Sequence, residues 1–216
     1  MSIFSRHKTE LIPADQALPG RSERNFRLPE KHRVLDAPLV TDEAPAGYEV
    51  AIFGLGCFWG AEEIYWQIPG VWSTSVGYAG GTTPNPSYEE VCSGRTAHTE
   101  AVRVVFDPSR VSYADLVKRF FEVHDPTQGM RQGNDIGTQY RSAIYFTTPE
   151  QEATARELTE VYRKELTRRR LGDVTTEVRE APTYYYAEDV HQQYLAKNPH
   201  GYRCHSNTGV KFPETA

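Results

Sequence analysis

From residue 47 onward, apolar and polar positions follow recognisable periods, and before it they do not. Tyr48 to Leu55 is a β-favouring run that feeds a turn at Gly56-Cys57. Beyond the turn, Cys57, Ala61, Ile64 and Ile68 recur at helical spacing, and Pro69-Gly70 stops the helix, so Cys57 is predicted at a helix N-terminus. The stretch "SVGYAGGTTPNPSYEEVCSGRTAH" carries too much Gly, Pro, Ser and Thr to be regular throughout and reads as a long functional loop, with Ser87 and Glu90 forming a short capping box. Glu100 to Phe106 alternates as a strand: Glu100, Val102, Val104 and Phe106 point one way, and Ala101, Arg103 and Val105 the other. Ser112 and Asp115 open a helix with the apolar stripe Leu116, Val117, Phe120, Phe121 and Val123, closed by the breaker "HDPTQG".

After the irregular "MRQGNDIGTQYR", Ser142 to Phe146 is predicted to be a strand. Thr148-Pro149-Glu150-Gln151 then caps a long helix that ends in "RRRLG", with basic residues and Gly where the helix dipole and a left-handed cap favour them. A strand at Thr175 to Val178, a short helix over Glu188 to Ala196 and an irregular tail complete the chain. Helices and strands alternate imperfectly, which predicts an α+β, two-layer α/β sandwich with a mixed sheet rather than a doubly wound one. Residues 1–46, rich in Pro and charge, read as an extended arm draped over a single catalytic domain, 47–216, that includes the tail.

Composition narrows the function classes. The 216 residues suffice for one large core. The net charge of −5 is spread along the chain without a basic stripe, so no nucleic acid partner is expected. The longest apolar run, Val50 to Ala61, is too short to span a bilayer, and "MSIFSRHKTE" lacks a signal-peptide core, so the expectation is a cytoplasmic protein with no membrane partner. Three unevenly spaced cysteines, Cys57, Cys92 and Cys204, match neither a secreted disulfide framework nor a CxxC zinc site; no metal is expected. The thirteen Tyr, nine Phe and three Trp lie largely beside Gly and Pro, where aromatics line sites.

A thiol at a helix N-terminus feels the dipole and unpaired backbone N–H groups, which favour thiolate. Position alone leaves two roles open for Cys57, a nucleophile or an inert buried sulfur beside Phe58 and Trp59. Gly54, Gly56 and Gly60 leave the backbone bare around it, as a close-approaching ligand would require. Glu100, on an apolar strand face, is a candidate general acid with a raised pKa, or else a strand-end carboxylate turned to solvent or paired with Arg95 or Arg103. Cys204, in the irregular tail, has the setting of a resolving cysteine or of an ordinary surface thiol. Cys92 reads as a small packed residue.

The segments "GCFWGAEEIYWQIPGV", "GYAGGTTPNPSYEEVCSGRTAHTEAVRVVFDP", "HDPTQGMRQGNDIGTQYRSAIY" and "YYYAEDVHQQYL" resemble the signatures of the peptide methionine sulfoxide reductases of type A, in order and over about Val50 to Gly209. The resemblance implies a fold related to the ferredoxin-like arrangement, no cofactor, and thioredoxin-dependent reduction of the S epimer of methionine sulfoxide, free or in proteins, by a monomer. By position it implies that Cys57 attacks the sulfoxide sulfur and becomes a sulfenic acid. Glu100 would protonate the sulfoxide oxygen, with Tyr88 and Tyr140 donating hydrogen bonds to it. Phe58 and Trp59 would hold the S-methyl group, and Asp135 would orient the substrate backbone. Cys204 would form the disulfide that thioredoxin reduces. Some members place cysteines directly after the tail "GY" and after "TGV"; here Arg203 and Lys211 stand there, which implies one disulfide relay and no second shuttle. Two rival readings of the same residues are a thiol hydrolase or acyl transferase pairing Cys57 with His98, His124 or His191, and a binding module with Trp59, Tyr88 and Tyr140 as an aromatic cage.

Overall fold

The computed structural model describes residues 8–41, 43–204 and 206–214. Residues 1–7 and 42 of the expected arm and 205, 215 and 216 of the expected tail lie outside the described residues. Its centre is a β-α-β-β-α-β unit: β1 (Glu49–Leu55), α1 (Phe58–Trp66), β2 (Val71–Ala79), β3 (Thr99–Phe106), α3 (Tyr113–Val123) and β6 (Ser142–Phe146). A short helix α2 (Tyr88–Cys92) sits between β2 and β3, and a two-stranded ribbon of β4 (Arg131–Gln132) and β5 (Asp135–Ile136) between α3 and β6. The long α4 (Pro149–Arg168) returns the chain to β7 (Glu177–Glu180), and β8 (Tyr185–Tyr186) and α5 (Tyr194–Lys197) follow. The main sheet runs β7-β6-β1-β3-β2-β8. All its pairings are antiparallel except β6 with β7, so the central four strands have the split-βαβ order expected and the sheet as a whole is mixed.

One face of the sheet packs on α1, α3 and α4 through Phe53, Val102, Val104 and Phe106 against Tyr65, Leu116, Phe120, Leu158 and Tyr162. The helices form where their caps predict: the Ser112 and Thr148 hydroxyls accept the Asp115 and Gln151 backbone N–H groups, and Pro149 occupies the first turn of α4. A second, smaller cluster, including Ile52, Ala101 and Tyr145, lies on the opposite face. The arm crosses the body as extended chain with one 3-10 turn at Ala14–Gln16. It buries His32, Ala37 and Leu39, and Leu18 and Arg21 donate backbone hydrogen bonds to the Arg95 and Pro84 carbonyls.

Several sequence expectations shift. The stretch from Ser75 to His98 is not loop throughout, because Ser75–Ala79 completes β2. That strand is covered on both faces, and its buried polar residues are satisfied by tertiary partners: Ser73 donates to the Pro38 carbonyl and Thr74 to Glu62. No alternation is then required, so no period marks it. Helix α1 ends at Trp66, before Ile68, and turns Phe58, Ala61, Glu62, Tyr65 and Trp66 inward, so its buried face is rotated from the one predicted. The strand expected at Thr175 to Val178 forms at Glu177–Glu180. The expected helix over Glu188 to Ala196 splits into a 3-10 turn, Asp189–His191, and α5, because Gln193 takes a left-handed conformation (φ 47°, ψ 44°).

Candidate active site

Gly56 makes the turn that places Cys57. It has φ +96°, and a Cβ there would stand 2.6 Å from Gln132 Cγ, so both the conformation and the close approach of β4 demand glycine. Cys57 follows as the N-cap of α1, within reach of the backbone N–H groups of Trp59 and Gly60. Those donors pull the thiol pKa down as the sequence predicts, but burial and the adjacent Glu100 carboxyl push it up by more. The resting nucleophile is therefore a thiol rather than a free thiolate, and the helix terminus alone does not activate it.

Glu100 stands near the start of β3, opposite Tyr78 of β2, and is 1 % exposed. Its Oε2 accepts the Phe58 backbone N–H at 3.0 Å. Burial raises its pKa to about 8 against that hydrogen bond, and the nearby Asp135 carboxyl adds to the rise. The alternative of a carboxylate turned to solvent or paired with Arg103 is excluded: Arg103 instead donates to Thr41. Tyr88, in the first turn of α2, and Tyr140, at the end of the 3-10 turn Thr138–Tyr140, both have phenols pushed well above their ordinary range by burial and by Glu100. Each remains a hydrogen-bond donor throughout the working pH range. Asp135, half-buried in β5, is held up by burial and accepts a hydrogen bond from Tyr202 Oη at 3.1 Å.

The aromatic wall is continuous. The Phe58 ring lies 6.4 Å from Tyr88 and 6.5 Å from Trp59. Trp59 stacks on Tyr194 at 3.9 Å, and its indole N–H donates to His191 Nδ1 at 3.2 Å. Phe58 is 1 % exposed and belongs mostly to the core, whereas Trp59 is partly open. Cys204 reaches the same region from the tail: with Cys57, Gly60, Gln132 and His124 it lines a cavity of about 20 Å³, enough for one water. Its Sγ–H donates to the Gln132 carbonyl at 3.6 Å.

The structure thus gathers Cys57, Glu100, Tyr88, Tyr140, Asp135, Phe58, Trp59 and Cys204 around one centre. Sequence reasoning missed Tyr202, Tyr194 and the hydrogen bond from the Trp59 indole to His191. The buried polar run "VHQQYL" was a usable signal, since Gln192 and Gln193 are each fully buried and bonded across the fold. Cys92 is half-buried beside Tyr88, with its thiol pushed up to about 11 chiefly by burial. The rival pairing of Cys57 with a histidine finds little support among the described residues. His124 is buried, has its pKa lowered to about 4, and engages the Phe120 carbonyl and Ser142 Oγ through its two ring nitrogens. His98 is likewise bonded at both nitrogens, to Gly81 and Thr83. An aromatic cage would need Trp59 open on its faces, and Tyr194 covers one of them. Among the described residues, no cluster of His, Cys, Asp and Glu has metal-ligand geometry, and no helix is long and apolar enough to cross a membrane.

Comparison with known proteins agrees with this geometry. A family model described as peptide methionine sulfoxide reductase matches residues 49–215. The chain is 57% identical over 213 residues to a peptide methionine sulfoxide reductase MsrA of Rhodospirillum centenum, covering 99% of this chain and 96% of that protein. It is 58% identical over 212 residues to the one of Azotobacter vinelandii, covering 98% and 97%. Among solved structures, methionine sulfoxide reductase A of Corynebacterium diphtheriae is similar with a TM-score of 0.84 at 49% identity, over 95% of this chain and 100% of that one. Reduced Mxr1 of Saccharomyces cerevisiae is similar with a TM-score of 0.70 at 32% identity, over 76% and 92%.

Proposed function

The chain belongs to the peptide methionine sulfoxide reductase family, and from that premise we propose that it reduces methionine sulfoxide to methionine through a thiol cycle on Cys57. The observation that carries the mechanism is the burial of Glu100 beside Cys57, which keeps its carboxyl protonated near neutral pH. A sulfoxide is a poor electrophile until its oxygen is protonated, because breaking the S–O bond otherwise expels a very basic oxygen. Glu100 gives its proton to that oxygen while Tyr88 and Tyr140 donate hydrogen bonds to it. Cys57 Sγ attacks the sulfoxide sulfur, and the thiol proton passes to the Glu100 carboxylate, restoring the acid. The S–O bond breaks, the oxygen and its proton move to Cys57, and methionine leaves: thiol plus sulfoxide gives sulfenic acid plus thioether, with no proton gained or lost. The raised thiol pKa is consistent with this exchange, since the site holds two protons at rest and needs both.

Trp59 and the edge of Phe58 hold the S-methyl group by dispersion and sulfur–aromatic contacts. Asp135 accepts from the substrate's backbone or amine. The type A resemblance assigns the S epimer. The Cys204 thiol then attacks the sulfenic sulfur, forming a disulfide and releasing water, and thioredoxin returns both thiols. A cycle of free thiols suits a reducing compartment, and we place the enzyme in the cytoplasm.

The direct test is a thiol count after one equivalent of methionine sulfoxide without reductant. Two thiols should disappear, mapping to Cys57 and Cys204 in one tryptic disulfide; a count unchanged by substrate would sink the mechanism. A second expectation follows from Glu100. The acid form is the active one, so the rate of sulfenic acid formation should be flat at low pH and fall as pH rises through about 8. Glu100→Gln should slow that step by about 10²-fold and erase the limb near pH 8. Stopped-flow rates with the limb intact in the variant would assign it to another group.

A further inference from the structure

Behind the aromatic wall lies a closed, buried hydrogen-bond circuit that the chemistry above does not use. It joins four separate pieces of chain. In the arm, His32 Nδ1 accepts the Val34 and Leu35 backbone N–H groups at 3.1 and 3.0 Å, which puts the ring proton on Nε2. That Nε2–H donates to Thr74 Oγ1 of β2 at 2.8 Å. The Thr74 hydroxyl donates in turn to Glu62 Oε1 of α1 at 3.0 Å. Glu62 also accepts from Gln193, through its backbone N–H at 2.8 Å and its Nε2 at 2.8 Å. The Gln193 Oε1 closes the loop by accepting the Arg33 backbone N–H, back in the arm, at 3.2 Å. His32, Glu62, Thr74 and Gln193 are each no more than 1 % exposed.

A fully buried carboxyl tends to go neutral, and burial raises Glu62 to about 7 even against the three donors aimed at its two oxygens. Gln193 itself holds the left-handed backbone that splits the C-terminal helix. A residue with a side chain persists there only where its surroundings over-determine it, and here Glu62 does so by binding both its N–H and its amide. Of the two wall residues that touch Trp59, Tyr194 follows Gln193 directly and His191 precedes it by two positions. His191 also lies 4.3 Å from the Tyr88 ring.

We propose that Glu62 and Gln193 are positioning residues for the reductase, whose circuit holds His191 and Tyr194 against Trp59 and makes the arm segment at His32 part of the wall's support. The matched family model begins at residue 49, so this support comes from outside it. The inference rests on the reading of Trp59 as substrate wall, and its test separates the two. Glu62→Gln is close in size but turns one acceptor into a donor that faces donors. In the folded variant, checked by a cooperative thermal melt, the Trp59 indole N–H resonance should shift upfield as its His191 acceptor moves. That resonance is identified by its loss in Trp59→Phe. KM for methionine sulfoxide should rise about tenfold with kcat within about threefold. Thr74→Val, which deletes only the hydroxyl at the far side, should shift the same resonance less and raise KM roughly threefold. A shifted resonance with an unchanged KM supports the circuit and removes Trp59 from the substrate site. Parent values of both in folded Glu62→Gln would overturn the proposal, and parent values of both in Thr74→Val would overturn the part played by the arm. If Glu62→Gln fails to fold, Thr74→Val decides alone, and parent values of both measurements in it then overturn the whole proposal.

Discussion

Cys57→Ser should abolish dithiothreitol-driven reduction of methionine sulfoxide, lowering the rate by about 10³-fold or more. The substitution is nearly isosteric at a position that is 9 % exposed, so a normal thermal melt should accompany the loss. The chemistry explains why oxygen cannot stand in. The sulfoxide oxygen must transfer to the attacking atom; sulfur accepts it as a stable sulfenic acid, whereas a serine oxygen would have to form a weak O–O bond. The hydroxyl is also a far harder group to deprotonate than a thiol, and the site gives it no stronger base than Glu100. Turnover is read as methionine released with excess dithiothreitol, which recycles any sulfenic acid directly and keeps Cys204 out of the result. Substantial turnover in the folded variant would mean that another thiol performs the attack, and Cys92, half-buried beside Tyr88, would be the next to substitute.

How far the sequence disclosed this site depends on the kind of signal. Glu100 was legible because a strand that alternates cleanly leaves a carboxylate conspicuous on its apolar face, and the structure buries it there. Cys57 was legible as a helix N-cap because Gly56 and the helical run after it define the turn. Its protonation state was not, since dipole and desolvation oppose each other and only the three-dimensional burial says which wins. The strand β2 was half hidden, because a segment covered on both faces needs no period and its Ser and Thr side chains bond to the arm and α1. The wall residues Tyr194 and His191 were hidden for a related reason. Their placement depends on the left-handed Gln193, which breaks a run that reads as a single helix, and on a carboxylate more than a hundred residues earlier. Local patterning carries elements and caps; it does not carry polar contacts between distant segments.

Cys204→Ser should separate the two reductants: dithiothreitol-driven turnover should stay near the parent value, while thioredoxin-driven turnover should fall by about 10²-fold or more. The magnitude follows from tethering. A thiol on a short flexible segment acts on its partner at an effective concentration of about millimolar, far above the micromolar level at which a separate protein arrives. The tail already brings Cys204 to the wall of the cavity that Cys57 lines, and Gly133 lets it settle there, since a Cβ at that glycine would stand 3.1 Å from Cys204 Sγ. The Arg203 guanidinium clamps the segment by bonding Glu63 of α1 at 2.6 and 2.7 Å, so the thiol is delivered beside α1 rather than left to diffuse. Dithiothreitol, being small, reaches the sulfenic acid without that delivery and is indifferent to the substitution. Equal loss with both reductants would show that Cys204 supports the first step rather than the recycling. Equal retention would show that thioredoxin attacks the Cys57 sulfenic acid directly, and the single-relay assignment for this tail would then fail.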